Sequence, residues 1–333
     1  MKIGIVFVST GGKKMMRALR SFRRTEPEVP VHIAFATSSK VWPRNNYEFP
    51  SLLFEREPNV QIRLISSTGW INGCFNEAIK WMRELGYDSA CLFHDDIVFS
   101  PLPEHRHHVT EWFSRIETDP ELQESSGLTL SFMEALVPSA LPGCWHRSPE
   151  EWSRQDLESE SLWRQFCPGP DAKPALYFGS PGSEIGVHAP NSDWFVKYFC
   201  TERTVPMSRL GPSGKIVPIS IWEVLGGYGE TEGIFYDMEY PVQCALRGLP
   251  PVKVIPNIPH LHLHNQSTAF GDPAVGLWGS DLAHFVTKYG KEPGEILQEC
   301  GYYDFKPVPP GDLCPEPNLR YWLYGGKYMK AGV

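Results

Sequence analysis

The 333-residue chain has eight cysteines, at 74, 91, 144, 167, 200, 244, 300 and 314, but no CxxC pair among them. Without that spacing a zinc ribbon is excluded, and cysteines set in apolar runs argue against a disulfide frame. Reduced, mostly buried thiols are expected, which points to a reducing compartment, the cytoplasm. No run approaches the roughly 18–20 apolar residues that span a bilayer. The opening "MKIGIVFVSTGG" carries only a short apolar run and no cleavage-like site, so no signal peptide is expected. Excess positive charge is also missing. A net charge of −8 argues against a general nucleic-acid coat, while leaving room for local basic patches. A long Gly-rich phosphate loop is absent too; "STGGKK", 9–14, is only a faint version of one.

What is present is an ordinary globular composition, 41% hydrophobic and 13% aromatic. The length allows a large core in one or two domains, and 31 prolines imply many or long loops. "KIGIVFV", 2–8, suits a central parallel strand covered on both faces. Residues 13–24 read as a helix, with Met15, Ala18, Leu19 and Phe22 at helical spacing. Lys13, Lys14, Arg17, Arg20 and Arg24 read as its solvated side; a phosphate-rich partner is the minority reading. "VHIAFATSS", 31–39, and "VQIRLIS", 60–66, are further strands. In the next helix Phe75, Ala78, Ile79, Met82 and Leu85 share one face, and Gly86 stops it. "SACLF", 89–93, is the fourth strand. Strands alternating with helices predict a three-layer α/β sheet, mixed but mostly parallel, with helices on both faces.

The stretch "SACLFHDDIVFS", 89–100, then needs an explanation. Asp95 and Asp96 fall at the carboxyl end of a parallel strand, the edge where open α/β sheets bind ligands. Two adjacent carboxylates repel each other, and burial makes their ionisation costlier. A divalent cation relieves both problems, and hard oxygen ligands suit Mg²⁺ or Mn²⁺. The plainer alternative is a pair of turn-capping acids.

The second half is less regular. Residues 108–132 read as helix, polar turn and strand. Residues 133–191 lose periodicity and read as a functional loop region or lid. Their tryptophans, 145, 152 and 163, could stack on a ligand or pack a satellite core. "FYDMEYPVQCALRG", 235–248, reads as a short helix with Pro241 in its first turn and Gly248 at its end. His260, His262 and His264 alternate along a strand and so share one face.

The order of these motifs resembles the GT-A glycosyltransferases, especially glycosyltransferase family 2. "NGCFNEAI", 72–79, is similar to that family's Asn/Gly-rich helix start, and "CLFHDDIVF" to its DxD-type strand end. "WEVLGGYGETEGIFYDMEYPVQCALRG", 222–248, is similar to its "GGF(D/E)E…ED" block. "HLHNQS" and "HFVTKYGKEPGEI" are similar to a metal-binding His and a later "KWG"-like segment. The likeness covers roughly 1–132 and 192–296.

The resemblance implies a GT-A, Rossmann-like fold with an irregular acceptor-side insertion. Residues 1–132 would form the nucleotide-sugar-binding half and 133–191 an insertion or lid. Residues 192–296 would form the acceptor and catalytic half of the same domain, and 297–333 a tail packing on it. Asp96 matches the metal-binding acid, with His264 the first choice and His262 the second as its partner for Mn²⁺ or Mg²⁺. Thr10, Ser38, Asn72, Asn76, His94 and Asp95 would contact the donor. Gly226, Gly227 and Tyr228 would contact the acceptor. Asp237 matches the catalytic base, with Glu239 two residues on as the other candidate; a plain helix-capping role is the alternative for Asp237.

The implied activity is metal-dependent, inverting transfer of a sugar from a nucleotide-sugar, a UDP-sugar first, to a hydroxyl acceptor. A retaining transferase of the same fold is the first rival. Acceptors left open include a hydroxymethylated viral DNA base, although the acidic net charge disfavours nucleic acid. A sugar-phosphate nucleotidyltransferase and a non-catalytic carbohydrate- or nucleic-acid-binding module are further rivals.

Overall fold

A computed structural model describes residues 1–9, 12–38, 57–66, 71–130, 133–138, 145–146, 158–166, 177–178, 186–188, 205–206, 214–229, 236–255, 260–262, 283, 285–291 and 293–301. The N-terminal apolar run is β1 (Ile3–Ser9), followed by α1 (Gly12–Thr25), β2 (Val31–Ser38) and β3 (Val60–Ser66). Next come α2 (Ile71–Glu84), β4 (Ser89–His94) and a short β5 (Ile97–Phe99) directly after the acid pair. α3 (His108–Thr118) and α4 (Pro120–Gln123) lead to β6 (Leu128–Leu130).

The main sheet places β3, β2, β1 and β4 side by side, all parallel. Alternation sends β1 side chains to two different cores. Ile5 and Phe7 meet Met15, Ala18, Leu19 and Phe22 of α1. Val6 and Val8 meet Phe75, Ala78, Ile79 and Met82 of α2. The two helices therefore cover opposite faces, giving the three layers that the alternating pattern predicts. Phe7 stacks on Phe93 at 5.2 Å, and Phe22 sits edge-on to Phe99 at 5.1 Å. Each such pair adds about 0.5–1.5 kcal/mol beyond its buried area. Gly86, at φ 75°, ends α2 as expected. Leu85 does not join the apolar face; it lies past the last helical residue and is exposed.

The region 133–191 is not free of regular structure. Its described parts form β7 (Met133–Pro138), β8 (Trp145–His146), α5 (Glu160–Phe166), β9 (Tyr177–Phe178) and β10 (Gly186–His188). β8, β9 and β10, of two or three residues each, are too short to show a period of two, so the sequence concealed them. Trp163 of α5 is fully buried, which settles it as a packing residue. Arg24–Glu158 (2.8 Å) and Arg164–Glu104 ion pairs flank it and fasten α5 to the N-terminal half.

The chain continues through β11 (Val205–Pro206), β12 (Lys215–Pro218), α6 (Ile219–Leu225), α7 (Tyr236–Leu246), β13 (Lys253–Ile255), β14 (His260–His262) and α8 (Pro293–Glu299). The full order of the main sheet is β11-β13-β6-β12-β4-β1-β2-β3. β12 runs antiparallel between β4 and β6, and β11 antiparallel to β13; the others are parallel. The mixed, mostly parallel sheet is the expected one. A smaller sheet, β5-β14-β7-β10-β9 with β8 on β7, lies beyond the acid pair. Pro241 sits inside α7, in its second turn rather than its first. It therefore removes one helical hydrogen bond there. Among the described residues no helix is long and apolar enough to cross a membrane. Cys74, Cys91 and Cys244 are buried free thiols; Cys300 is free and exposed.

Candidate active site

The parallel register of β1 and β4 sets Val8 opposite His94. Ser9 and Asp95 therefore emerge together at the carboxyl edge. Ser9 Oγ donates to Asp95 Oδ2 at 2.6 Å. Both carboxylates are nearly buried, Asp95 at 6% and Asp96 at 5% exposure. His94 Nδ1 stands 3.9 Å from Asp96 Oδ1, too far for a hydrogen bond. Its ring lies 5.2 Å from that of Phe75 on α2.

The histidine strand comes to the same place. β14 pairs antiparallel with β5, setting His262 opposite Ile97, the residue after Asp96. His260 is opposite Phe99 and fully buried, with its ring stacked on Phe99 at 5.4 Å. That makes His260 a core side chain. His264 and Thr10 lie outside the described residues, as do the side chains of Ser38, His262 and Asp237. Among the described residues no group of three His, Cys, Asp or Glu could hold a metal ion. One carboxylate is still enough for a Mg²⁺-type ion that takes its other ligands from phosphates and water. Asp96 is a nearly buried carboxylate at the strand's carboxyl end.

A glycine loop packs on α2, whose Phe75 also meets His94. Gly226 caps α6 at φ 77°, and Gly227 follows at φ 98°, a left-handed pair that other residues adopt only with strain. Asn76 holds this loop. Its Oδ1 accepts from Tyr228 N and from Trp222 Nε1, both at 2.8 Å, and its Nδ2 donates to Tyr228 O at 3.3 Å. Asn72 Nδ2 donates to Gly229 O at 2.7 Å. These two asparagines, expected at the donor, are thus engaged with the loop. Tyr228 is buried, its ring 5.8 Å from Phe75 and 5.2 Å from Tyr240.

Glu239 lies beneath the loop and is fully buried. A Cβ on Gly229 would overlap its carboxylate, so only glycine fits there. Glu239 Oε1 accepts from Tyr289 Oη at 2.6 Å, Lys288 Nζ at 2.8 Å and Gln243 Nε2 at 3.4 Å. Burial alone would lower the Lys288 ammonium, but bonding to Glu239 more than offsets it and leaves its pKa raised. Burial, then Glu239, pushes the Tyr289 hydroxyl up. The "KYG" segment thus reaches the "GGYG…DME" block through one carboxylate. Asp237 is the second residue of α7, where the helix dipole favours a negative charge.

Three further residues belong to this edge, and sequence reasoning did not single them out. Ser9 is the partner of Asp95. Lys215, the first residue of β12, is fully buried with its ammonium 4.1 Å from the centre of the Phe75 ring. A lysine opening a short strand gives no signal of burial until its neighbours are known. Arg17, expected on a solvated face, is instead half-buried, with its Nε fully enclosed. Burial lowers its pKa, and the charges of Asp96, Asp95 and Glu158 oppose that shift.

No protein-family model matches the chain, and no curated protein matches it. Among solved structures, it is similar to S. aureus TarS 1-349, with 12% identity and a TM-score of 0.46 over 90% of this chain and 70% of that one. The same protein in complex with UDP-GlcNAc gives 11% identity and a TM-score of 0.46 over 90% and 71%. Its complex with UDP gives 11% and 0.44 over 90% and 70%.

Proposed function

We propose that this chain is a metal-dependent inverting glycosyltransferase that moves a sugar from a nucleotide-sugar, a UDP-sugar first, to a hydroxyl acceptor. The observation that carries the reading is the meeting of separate motifs at one sheet edge. β14 runs beside the residue after Asp96, and Phe75 links His94 to the loop of Gly226, Gly227 and Tyr228. The motif order that resembles glycosyltransferase family 2 supports the same reading.

In the reaction, the acceptor oxygen forms a bond to the anomeric carbon while the bond from that carbon to the diphosphate oxygen breaks. The electron pair leaves with the nucleoside diphosphate. Asp237 takes the acceptor's proton as general base. Its place in the first turn of α7 is one where the helix dipole favours a negative charge. Glu239 is less suited, because Lys288 and Tyr289 already occupy its Oε1. Asp96, with His264 or His262, would hold Mn²⁺ or Mg²⁺, and the bound ion would stabilise the charge developing on the leaving diphosphate. Ser9 fixes Asp95 on the donor side.

The test is a panel of nucleotide-sugars with Mn²⁺, with and without candidate alcohols, followed by detection of released nucleoside diphosphate. Metal-stimulated release from one donor is expected, with an inverted anomeric configuration by NMR in any product. A retained configuration would overturn the inverting mechanism. No release and no donor binding across the panel would overturn the transferase reading.

A further inference from the structure

The basic face of α1 holds one arginine that solvation does not explain. Arg23 spends its guanidinium on backbone carbonyls, donating to Val29 O, Pro58 O and Asn59 O. Arg24 pairs with Glu158. Arg17 shares with Arg23 a buried Nε that has no hydrogen-bond partner among the described residues. It differs in that, among the described residues, its other nitrogens bond no carbonyls as those of Arg23 do. A buried guanidinium N–H left without an acceptor is costly, so an anion is expected to supply one.

The place of Arg17 says which anion. α1 starts at Gly12, just after β1, so its N-terminus lies at the carboxyl edge of the sheet beside Ser9. Helical side chains lean toward the helix N-terminus, which aims Arg17, in the second turn, back at that edge. Asp95 and Asp96 are there, close enough for their charges to act on the guanidinium. Two buried carboxylates and a doubly charged diphosphate would repel each other, and one divalent ion balances only the carboxylates. A further cation is required, and a planar guanidinium suits two phosphate oxygens at once.

We propose that Arg17 is a donor-binding residue that grips the diphosphate of the nucleotide-sugar. The inference rests on the transferase reading and adds to it a protein cation on the α1 side, opposite the face that α2 covers. Arg17 acts on binding in the ground state and on the leaving diphosphate, whereas Asp237 acts on the acceptor.

The experiment is calorimetric titration of the parent, Arg17→Met and Arg17→Lys with UDP, other nucleoside diphosphates, the matching nucleosides and inorganic pyrophosphate. It is run in chelator, so that the protein's own cations are read, and repeated with Mn²⁺. Arg17→Met should weaken nucleoside diphosphate binding by about 10- to 100-fold, the loss of charge-assisted bonds. Nucleoside binding should stay within about twofold, and Arg17→Lys should recover part of the loss. The melting temperature of Arg17→Met should equal or exceed the parent's, because an unsatisfied buried group is removed. A purely structural arginine would lower it. Equal nucleoside diphosphate affinity in parent and Arg17→Met overturns the role of Arg17 and leaves the transferase reading standing. Pyrophosphate binding that depends on Arg17, with no nucleoside diphosphate binding by the parent, upholds the anion site and overturns the transferase reading. A parent that binds neither overturns both.

Discussion

Glu239 and Asp237 stand two residues apart in α7, and substitution with the matching amide should separate their roles. Glu239→Gln keeps the shape and an oxygen where Oε1 now accepts from Tyr289 and Gln243. What it loses is the carboxylate charge facing Lys288 at 2.8 Å. A hydrogen bond to a charged group contributes about 1.5–3 kcal/mol. Lys288 is 39% exposed, so water takes over part of that interaction. The expected destabilisation is about 1–2 kcal/mol, a sizeable share of the roughly 5–15 kcal/mol of a typical domain. Relaxation gives little relief, because Gly229 already packs against the carboxylate. Asp237→Asn should cost no more than about 1 kcal/mol, the usual worth of a first-turn negative charge against the helix dipole. Its turnover should fall by roughly 10²- to 10⁴-fold if Asp237 is the general base. Urea denaturation gives the stabilities at constant m-value, and steady-state assays with the donor that the nucleotide-sugar panel identifies give kcat. The reasoning fails if Glu239→Gln retains full stability while losing turnover, because Glu239 would then be the reacting carboxylate and not a clamp.

Asn76→Ala should cost about 2–4 kcal/mol, because Trp222 Nε1 and Tyr228 N both lose their acceptor; chemical denaturation checks it, and a loss under about 0.5 kcal/mol would deny Asn76 its hold on the loop. Gly4→Ala should cost about 1–3 kcal/mol by overpacking, since its Cβ would come within 2.7 Å of Tyr87 and 2.8 Å of Met82; an unchanged melting temperature would contradict that contact. Burial, with His108 nearby, lowers the pKa of His105 from 6.5 to about 4. A histidine held neutral in the native state costs stability once the unfolded chain takes up protons. Stability should therefore be full above about pH 6.5 and fall between pH 6.5 and about 4. His105→Gln should flatten that fall in pH-dependent denaturation, leaving the smaller share of His32, whose pKa burial also lowers. A parent curve flat across this window would refute the assignment.

Much of the layered architecture was legible in the sequence because its signals are local. The run 2–8 is apolar on both alternating faces, as a strand between two helix layers must be. The helical spacing of Met15, Ala18, Leu19 and Phe22 named a face that is fully buried. Asp95 and Asp96 could be placed at a strand's carboxyl end because the strand before them and the polar break are adjacent in the chain. Gly86 and Gly248 marked helix ends by the left-handed backbone that only glycine adopts freely.

What the tertiary structure decided are pairings between distant positions, which leave no periodic trace. β5 and β14 are three-residue strands, too short to announce a register, yet their pairing brings His262 beside the acid pair and sends His260 into the core. Glu239 looks like any acid in an amphipathic helix until Lys288, Tyr289 and Gly229 close around it. Arg17 and Arg20 are both arginines on one helix, and composition cannot tell them apart. The fold buries the Nε of the first within reach of the charges of Asp95 and Asp96 and leaves the second exposed. The sequence by itself determined which residues could carry charge at the carboxyl edge. Only the packing of α1, α2 and the short strands determined which of them meet, because burial and opposing charge are set by neighbours far apart along the chain.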